Sequence, residues 1–596
     1  MRAARPAVAK WGAWLALILA YCTFASAAAQ ESWNPFRRNA EQPRDRRPHP
    51  GDEAPPVQPS ARERPGNPSS QHPAPWTSPR GGGVERSELA PIMAPDPSGL
   101  PLELWRGLDL KTVEELLASL DLPPRSPTLH QLWRRMLLSS ATPPAGAPSE
   151  EHFVALRLEA LYRSGLLADM QAVFESDTAP GPIVRTLRAR RDIGLGQRDL
   201  GCRAVAALAA PNSGLPSRLK GETQLLAGYC AAVANDAHGA GLAADLAREE
   251  GIDAELPLAV LAAFAAGSTP KLGLPKRVLL LDYRFLELLG PVNALQIFDK
   301  AEPALLAMLA GDTQADARLQ IAAAEAALRL NALSPQAVAE VYRRQPLSGI
   351  GSVDPAAQQG DPLLRRALFF RAADVARVPA QRARFLRAIL DDARRSGSYI
   401  QVAGAVAPVL VSLQPAPDLA WLADAGVEAA LAAGDFDRAR QWAHAAGQWH
   451  WLALIDVADP ERRGGRPASL RALEDMAARG RLEIDTLHKL ATVLDALDID
   501  VPIAIWDAAS RAPQPSSGYL PETGILADLA QSAKRNDAGR TILLIMRALG
   551  GNGAEGANVL ALSDAIRALK RIGLEADARR LGLEALLPVW PRPAAN

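Results

Sequence analysis

The chain has 596 residues, with 66 basic side chains against 66 acidic ones, a formal net charge of zero. Such a balance offers no global field for a polyanion, which argues against nucleic acid as a partner. At 48% hydrophobic the chain can bury a core. Beyond the first residues no apolar run approaches the ~20 needed to span a bilayer; Leu256 to Ala266 and Val402 to Leu413 are too short.

Residues 1–29 read as an export signal. Arg2, Arg5 and Lys10 precede the apolar run Trp11 to Tyr21, and Ala25-Ser26-Ala27-Ala28-Ala29 offers small residues for cleavage between Ala27 and Gln30. The mature chain is then expected in the periplasm, with no transmembrane domain. Uncleaved, the same segment would anchor it in the inner membrane. Leu19-Ala20-Tyr21-Cys22 carries the cysteine of a lipoprotein signal, but the bulky Tyr21 opposes that processing.

Residues 30–99 hold many of the chain's 49 prolines, with Gly81-Gly82-Gly83 and few large aliphatic residues. They cannot bury enough surface to offset the entropy of ordering, so a disordered Pro/Arg-rich linker is expected. As a tether, roughly 70 flexible residues average about 45 Å end to end.

The rest reads as helix. Val113, Leu116, Leu117 and Leu120 form one apolar stripe, and Asp109 is a candidate cap before it. Ser126-Pro127 places an N-cap and a proline at the start of the next helix. Leu487, Leu490, Leu494 and Leu497 form another stripe, with Asp485 and Lys489 spaced to pair on its exposed side. Alternating β-branched runs are nearly absent, so the fold class is all-α.

Of the three cysteines, Cys22 leaves with the signal. Cys202 and Cys230 remain, an even number in an oxidising compartment, and are a disulfide candidate. Measured from the turn at Pro211 to Pro216, their heights on successive helices differ by about 8 Å, more than a disulfide spans without a shifted helix. Two buried thiols are the other reading.

One phrase occurs twice: Ala160-Leu161-Tyr162-Arg163-Ser164-Gly165-Leu166-Leu167-Ala168-Asp169 returns as Ala568-Leu569-Lys570-Arg571-Ile572-Gly573-Leu574-Glu575-Ala576-Asp577. Each ends a helix, turns at glycine and opens another. Gly165, Gly196, Asn235, Gly434 and Gly573 all sit between amphipathic stretches, the first three at gaps of about 30 and 40 residues.

Leu158 to Phe174, Gly426 to Ala443 and Ile566 to Leu583 resemble tetratricopeptide or related helical repeats, Ala430-Leu431-Ala432-Ala433-Gly434-Asp435-Phe436-Asp437-Arg438-Ala439 most of all. The spacing drifts and the family's early Trp-Leu-Gly segment is missing. The resemblance therefore implies an irregular α-solenoid of helical hairpins. Breakers near Pro346 to Pro362 divide it into helical-repeat segments of 100–345 and 363–590, joined by a linker of 346–362.

Motifs for chemistry do not hold up. Gly349-Ile350-Gly351-Ser352 lacks the lysine and the preceding strand of a phosphate loop. Ser268-Thr269-Pro270-Lys271 has the spacing of penicillin-interacting serine enzymes without their other motifs. His130, His152, His238, His444, His450 and His488 form no i, i+4 pair, and no metal site or cofactor is expected.

Two patches are candidate interaction sites. Trp442, His444, Trp449, His450 and Trp451 crowd around Gly447, and such amphipathic aromatics favour interface hot spots. Arg365, Arg366, Arg371, Arg377, Arg382, Arg384, Arg387, Arg394 and Arg395 outnumber Asp374, Asp391 and Asp392 and suit anionic groups. Helix packing and solvated faces are the plainer accounts of each.

The expected function is that of an exported, non-catalytic scaffold holding an envelope protein or an anionic envelope polymer. Soluble lytic transglycosylases are similar in layout, an exported helical superhelix with a small catalytic domain. Their catalytic Glu-Ser pair is absent from the second half of this chain. A lipid or small-molecule carrier is a third reading, disfavoured by close-packed Ala-rich helices.

Overall fold

The computed structural model describes residues 98–176, 180–208, 215–269, 272–345, 360–461, 468–515 and 517–592. The export signal, the Pro/Arg-rich segment up to 97 and residues 346–359 of the expected linker lie outside them. The described residues form 28 α-helices, with no β structure beyond three isolated bridges. They belong to one compact unit, an all-α irregular solenoid of helical hairpins. Among them no helix is long and apolar enough to cross a membrane.

Helices start where the sequence supplies caps. Asp109 accepts the Thr112 amide at 2.7 Å to open α1 (Leu110–Ala118), and Ser126 with Pro127 opens α2 (Pro127–Leu138). Ser149 caps α3 (Glu150–Arg163), which turns at Gly165 into α4 (Leu167–Ser176). Gly165, Gly196, Asn235, Gly434 and Gly573 all have positive φ. At Gly434 the Asp435 amide donates back to the Ala430 carbonyl at 2.9 Å, a closure that needs a left-handed residue between.

A side lobe follows, built from α5 (Pro182–Gly194), α6 (Arg198–Leu208), α7 (Ser217–Val233), α8 (Ala237–Glu249), α9 (Glu255–Ala265) and α10 (Leu280–Leu286). Its core gathers Val205, Leu226, Tyr229, Leu261 and Phe285, and α10 returns to pack on α5. Cys202 of α6 and Cys230 of α7 are joined in a disulfide with Cα atoms 5.6 Å apart. The height mismatch expected from the turn is absorbed because α5 fixes where α6 sits. Gly201 lies so close to α5 that a Cβ there would fall 2.5 Å from the Ile193 side chain. Replacing both cysteines by serine is expected to cost about 2–4 kcal/mol, since the bridge restricts the unfolded chain. The measurement is the urea midpoint; equal midpoints for the two chains would show that the bridge carries no stability.

The base of this lobe is a junction of buried carboxylates. Asp282 accepts the Leu279 amide at 2.9 Å, and Glu302 accepts the Leu280 amide at 2.7 Å, so both cap α10. Burial pushes the Asp282 carboxyl up to about 6 and that of Glu302 up to about 7, against the opposing pull of those amides. Raised values mean that the folded chain binds these protons more tightly than the unfolded one. The stability from Glu302 is therefore complete below about pH 4.5 and is lost as pH rises through about 7, a change of about 3 kcal/mol. Glu302→Gln is expected to raise the urea midpoint at pH 8 and to leave it unchanged at pH 4. A variant with no gain at pH 8 would refute this account.

Beyond the lobe come α11 (Ala294–Ile297), α12 (Pro303–Gly311), α13 (Ala317–Arg329) and α14 (Pro335–Arg344), then α15 (Pro362–Val375), α16 (Pro379–Arg395) and α17 (Tyr399–Val411). Helices from the two sides of 346–362 pack together: α13 and α14 both touch α15 and α17. The chain continues through α18 (Ala423–Ala432), α19 (Phe436–Ala445), α20 (Trp449–Ala458), α21 (Leu470–Ala478) and α22 (Ile484–Ala496). It ends in α23 (Ile503–Arg511), α24 (Thr523–Lys534), α25 (Ala538–Leu549), α26 (Gly553–Gly556), α27 (Val559–Arg571) and α28 (Glu575–Leu586). The leucine stripe of α22 is buried along its length. Lys489 donates to the Glu555 carbonyl at 3.1 Å instead of pairing with Asp485, because α26 lies within its reach.

The two ends of the solenoid meet. Helix α28 packs on α2, α20 and α22, while α25 packs on α1 and α2. The repeated phrase supplies the clasp from both sides of α2. Arg134 forms a paired contact with Asp169 at 2.6 and 2.7 Å, and its neighbour Arg135 reaches Asp577 at 2.6 Å. Asp169 and Asp577 are the last residues of the two phrases, so α2 is a keystone held between the repeats. Glu584 of α28 accepts from Ser126 Oγ at 2.9 Å and from the Thr128 amide at 3.3 Å, capping α2 from the far end of the chain. From the other side Asn331 donates to the carbonyls of Pro124 and Arg125, both at 2.9 Å.

Candidate interaction surface

The aromatic cluster around Gly447 divides into a core half and a surface half. Trp442 and Trp451 are fully buried, which corrects the expectation that they form a binding face. The 3.6-residue period turns both toward α18. The Trp442 ring lies over Gly426, where a Cβ would fall 2.5 Å from the indole. Trp451 donates its indole N–H to Asp424 at 2.8 Å. Trp449 is 58% exposed, with the exposed His444 edge-on to it at 5.7 Å. His450 is half-buried beside Trp451, and burial lowers its pKa below the ordinary histidine value.

Arg365, Arg366, Arg371, Arg382 and Arg387 are tied into the protein while Arg377, Arg384, Arg394 and Arg395 are exposed, so the cationic face is smaller than the sequence count implies. Arg366 is 2% exposed, bonded to Glu325 of α13 at 2.6 Å and to Asp392 of α16 at 3.0 Å. Burial weighs against its charge, yet these carboxylates raise its pKa further. Arg365 also holds Asp392, at 2.5 Å. Hydrogen bonds and ion pairs together keep Asp392 below the usual carboxylate range despite its burial. Arg371 donates to the Gln345 carbonyl, and Arg382 to those of Ala373 and Ala376 at the end of α15. Arg387 pairs with Asp391 at 2.9 Å and reaches the Trp421 carbonyl at 3.3 Å. Arg384 faces solvent. The carboxylates that answer these arginines include Glu325, which lies outside the α15–α16 sequence, so a local charge count overstates the patch.

The Arg387–Trp421 contact ties the arginine patch to the segment that leads into α18. Trp421 precedes α18 and is 46% exposed. Asp424 and Trp451, which touch, lie just inside the starts of α18 and α20, and Trp421 and Trp449 lie at those two helix starts.

The segment Leu587–Arg592, which begins with a 3-10 turn over Leu587–Val589, lies in a seat made by α18, α20 and α22. Trp590 is 2% exposed, its ring 6.5 Å from that of Trp451. Thr486 donates to the Val589 carbonyl at 2.6 Å, and His450 bonds the Pro591 backbone. Arg592 Nε donates to Glu428 Oε1 at 2.7 Å. Glu428, 1% exposed, also accepts from the Tyr399 hydroxyl, with Arg394 at 3.6 Å.

Trp421, Tyr399, Glu428, Trp590 and Arg592 were not singled out by the sequence reading. The one signal for them was Pro588-Val589-Trp590-Pro591-Arg592, where Pro588 and Pro591 stop α28 from running on and leave a Trp and an Arg after a single 3-10 turn, Leu587–Val589. Among the described residues, no group of three or more His, Cys, Asp or Glu is placed to hold a metal ion.

Fold and surface together define an all-α solenoid clasped end to end, with exposed tryptophans at the starts of α18 and α20 and an internally occupied seat. No protein family, curated protein or solved structure matches this chain.

Proposed function

We propose that this chain is an exported scaffold of the cell envelope, built from tetratricopeptide-like hairpins, that holds a protein partner on the surface carrying Trp421 and Trp449. The observation that carries the reading is the exposure of these two indoles, at 46% and 58%, while Trp442 of α19 and Trp451, on the same helix as Trp449, are completely buried. Tryptophan left in water is what interface hot spots use. The disulfide between Cys202 and Cys230 suits an oxidising compartment and so supports export. Arginines bonded to internal carboxylates and carbonyls favour a protein partner over an anionic polymer.

The test is an in vivo crosslink and pull-down from the cell envelope, with mass spectrometry of what is captured. One reproducible protein partner, lost on Trp421→Ala/Trp449→Ala, is expected. Captured polysaccharide without protein, or a partner retained by the double variant, would sink the reading. Free thiols at Cys202 and Cys230 in rapidly trapped cells would sink the export part separately.

A further inference from the structure

The seat of Leu587–Arg592 has the construction of a peptide-binding site. One aromatic anchor is buried in it, one cation meets a buried carboxylate, and the groove bonds the segment's backbone at Val589 and Pro591. We propose that this seat binds peptide segments bearing a tryptophan followed two residues on by an arginine, and that Leu587–Arg592, a 3-10 turn leading into Trp590–Arg592, is the chain's own exchangeable occupant. This rests on the reading of the protein as a partner-holding scaffold and names the chemistry of the partner segment.

Three observations favour exchange over permanent packing. The segment is not needed to close the solenoid, since α28 is already fixed by α2, α20 and α22. The Trp590 indole N–H is buried without an acceptor, so this anchor is held less firmly than its burial alone implies. The Arg592 side chain remains 32% exposed, so the ion pair at the mouth is open to competition.

The occupant's chemistry follows from the seat. Glu428 is fixed in mid-helix, and outside the segment only Tyr399 and the more distant Arg394 answer it, so an arriving segment must bring a cation. Trp451 offers a ring face for an aromatic anchor. Pro591, between the anchor and the cation, holds them at this spacing with little entropy left to lose.

The probe is a fluorescein-labelled peptide of residues 586–595, followed by anisotropy with the full chain. The Trp590→Ala/Arg592→Ala chain, its seat vacated, is expected to bind the peptide at least tenfold more tightly than the unaltered chain. Adding Glu428→Ala should abolish that binding. A folded double variant that ignores the peptide overturns the proposal, as does binding that survives Glu428→Ala. A double variant that fails to fold also overturns it, because the segment would then be part of the core. In the unaltered chain, the Trp590 amide should exchange hydrogen at least a hundredfold faster than the amides in the middle of α28. Equal protection would overturn exchangeability. Concentration-dependent dimers abolished by the double variant would reassign the seat to a second copy. If the peptide fails while envelope capture still depends on Trp421 and Trp449, this inference falls and the scaffold reading stands.

Discussion

Trp133→Ala is expected to lower stability by about 3–5 kcal/mol, the range for emptying a fully buried tryptophan site. The ring is wholly inaccessible in the middle of α2. Its indole N–H donates to Ser164 Oγ at 2.9 Å, inside the first copy of the repeated phrase. The loss therefore joins a large cavity to a buried hydroxyl stripped of a donor partner. Because α2 sits between Asp169 and Asp577, the effect should spread to the far end of the chain. Hydrogen exchange should quicken in α28 as well as in α3 in the variant. A variant that loses protection only around α2 and α3 would show that the clasp does not couple the ends.

Arg366→Ala is expected to cost about 3–5 kcal/mol, the range for breaking a buried ion pair from one side. The guanidinium bridges Glu325 and Asp392, each with a side chain 4% exposed or less. Tyr342 also donates to Glu325 at 2.7 Å and Arg365 to Asp392, so neither carboxylate is left bare. Each still loses its closest buried counter-charge. The three helices joined are α13, α15 and α16, which span the segment 346–362 that the sequence marked as a break. If the helical segments on either side unfolded independently, the variant would show two transitions on heating. A single transition at lower temperature is expected instead. Replacement by a volume-matched apolar residue together with Glu325→Gln should recover part of the loss, since the cost is the stranded charge and not the missing pair.

The charged and aromatic residues show where the sequence stops being informative. Trp442, Trp449 and Trp451 form one cluster in sequence, yet a helix period places two of them in the core and one on the surface. The arginines of α15 and α16 look unopposed because their partners, such as Glu325, come from another hairpin. The segment around Trp590 meets Glu428 only because α28 is carried back across α20 and α22.

By itself the sequence determined what is local. Helix stripes, the caps at Asp109 and Ser126, and the left-handed turns at Gly165, Gly196, Asn235, Gly434 and Gly573 depend on neighbours within a turn or two. The tertiary structure alone decided which helices each stripe packs against, how far α6 slides along α7, and that the solenoid closes on α2. The reason is separation along the chain. Arg135 and Asp577 lie 442 positions apart, and nothing in either helix's own pattern records the partner. Ala-rich helices carrying arginine on several faces leave more than one packing open, and only long-range contacts select among them.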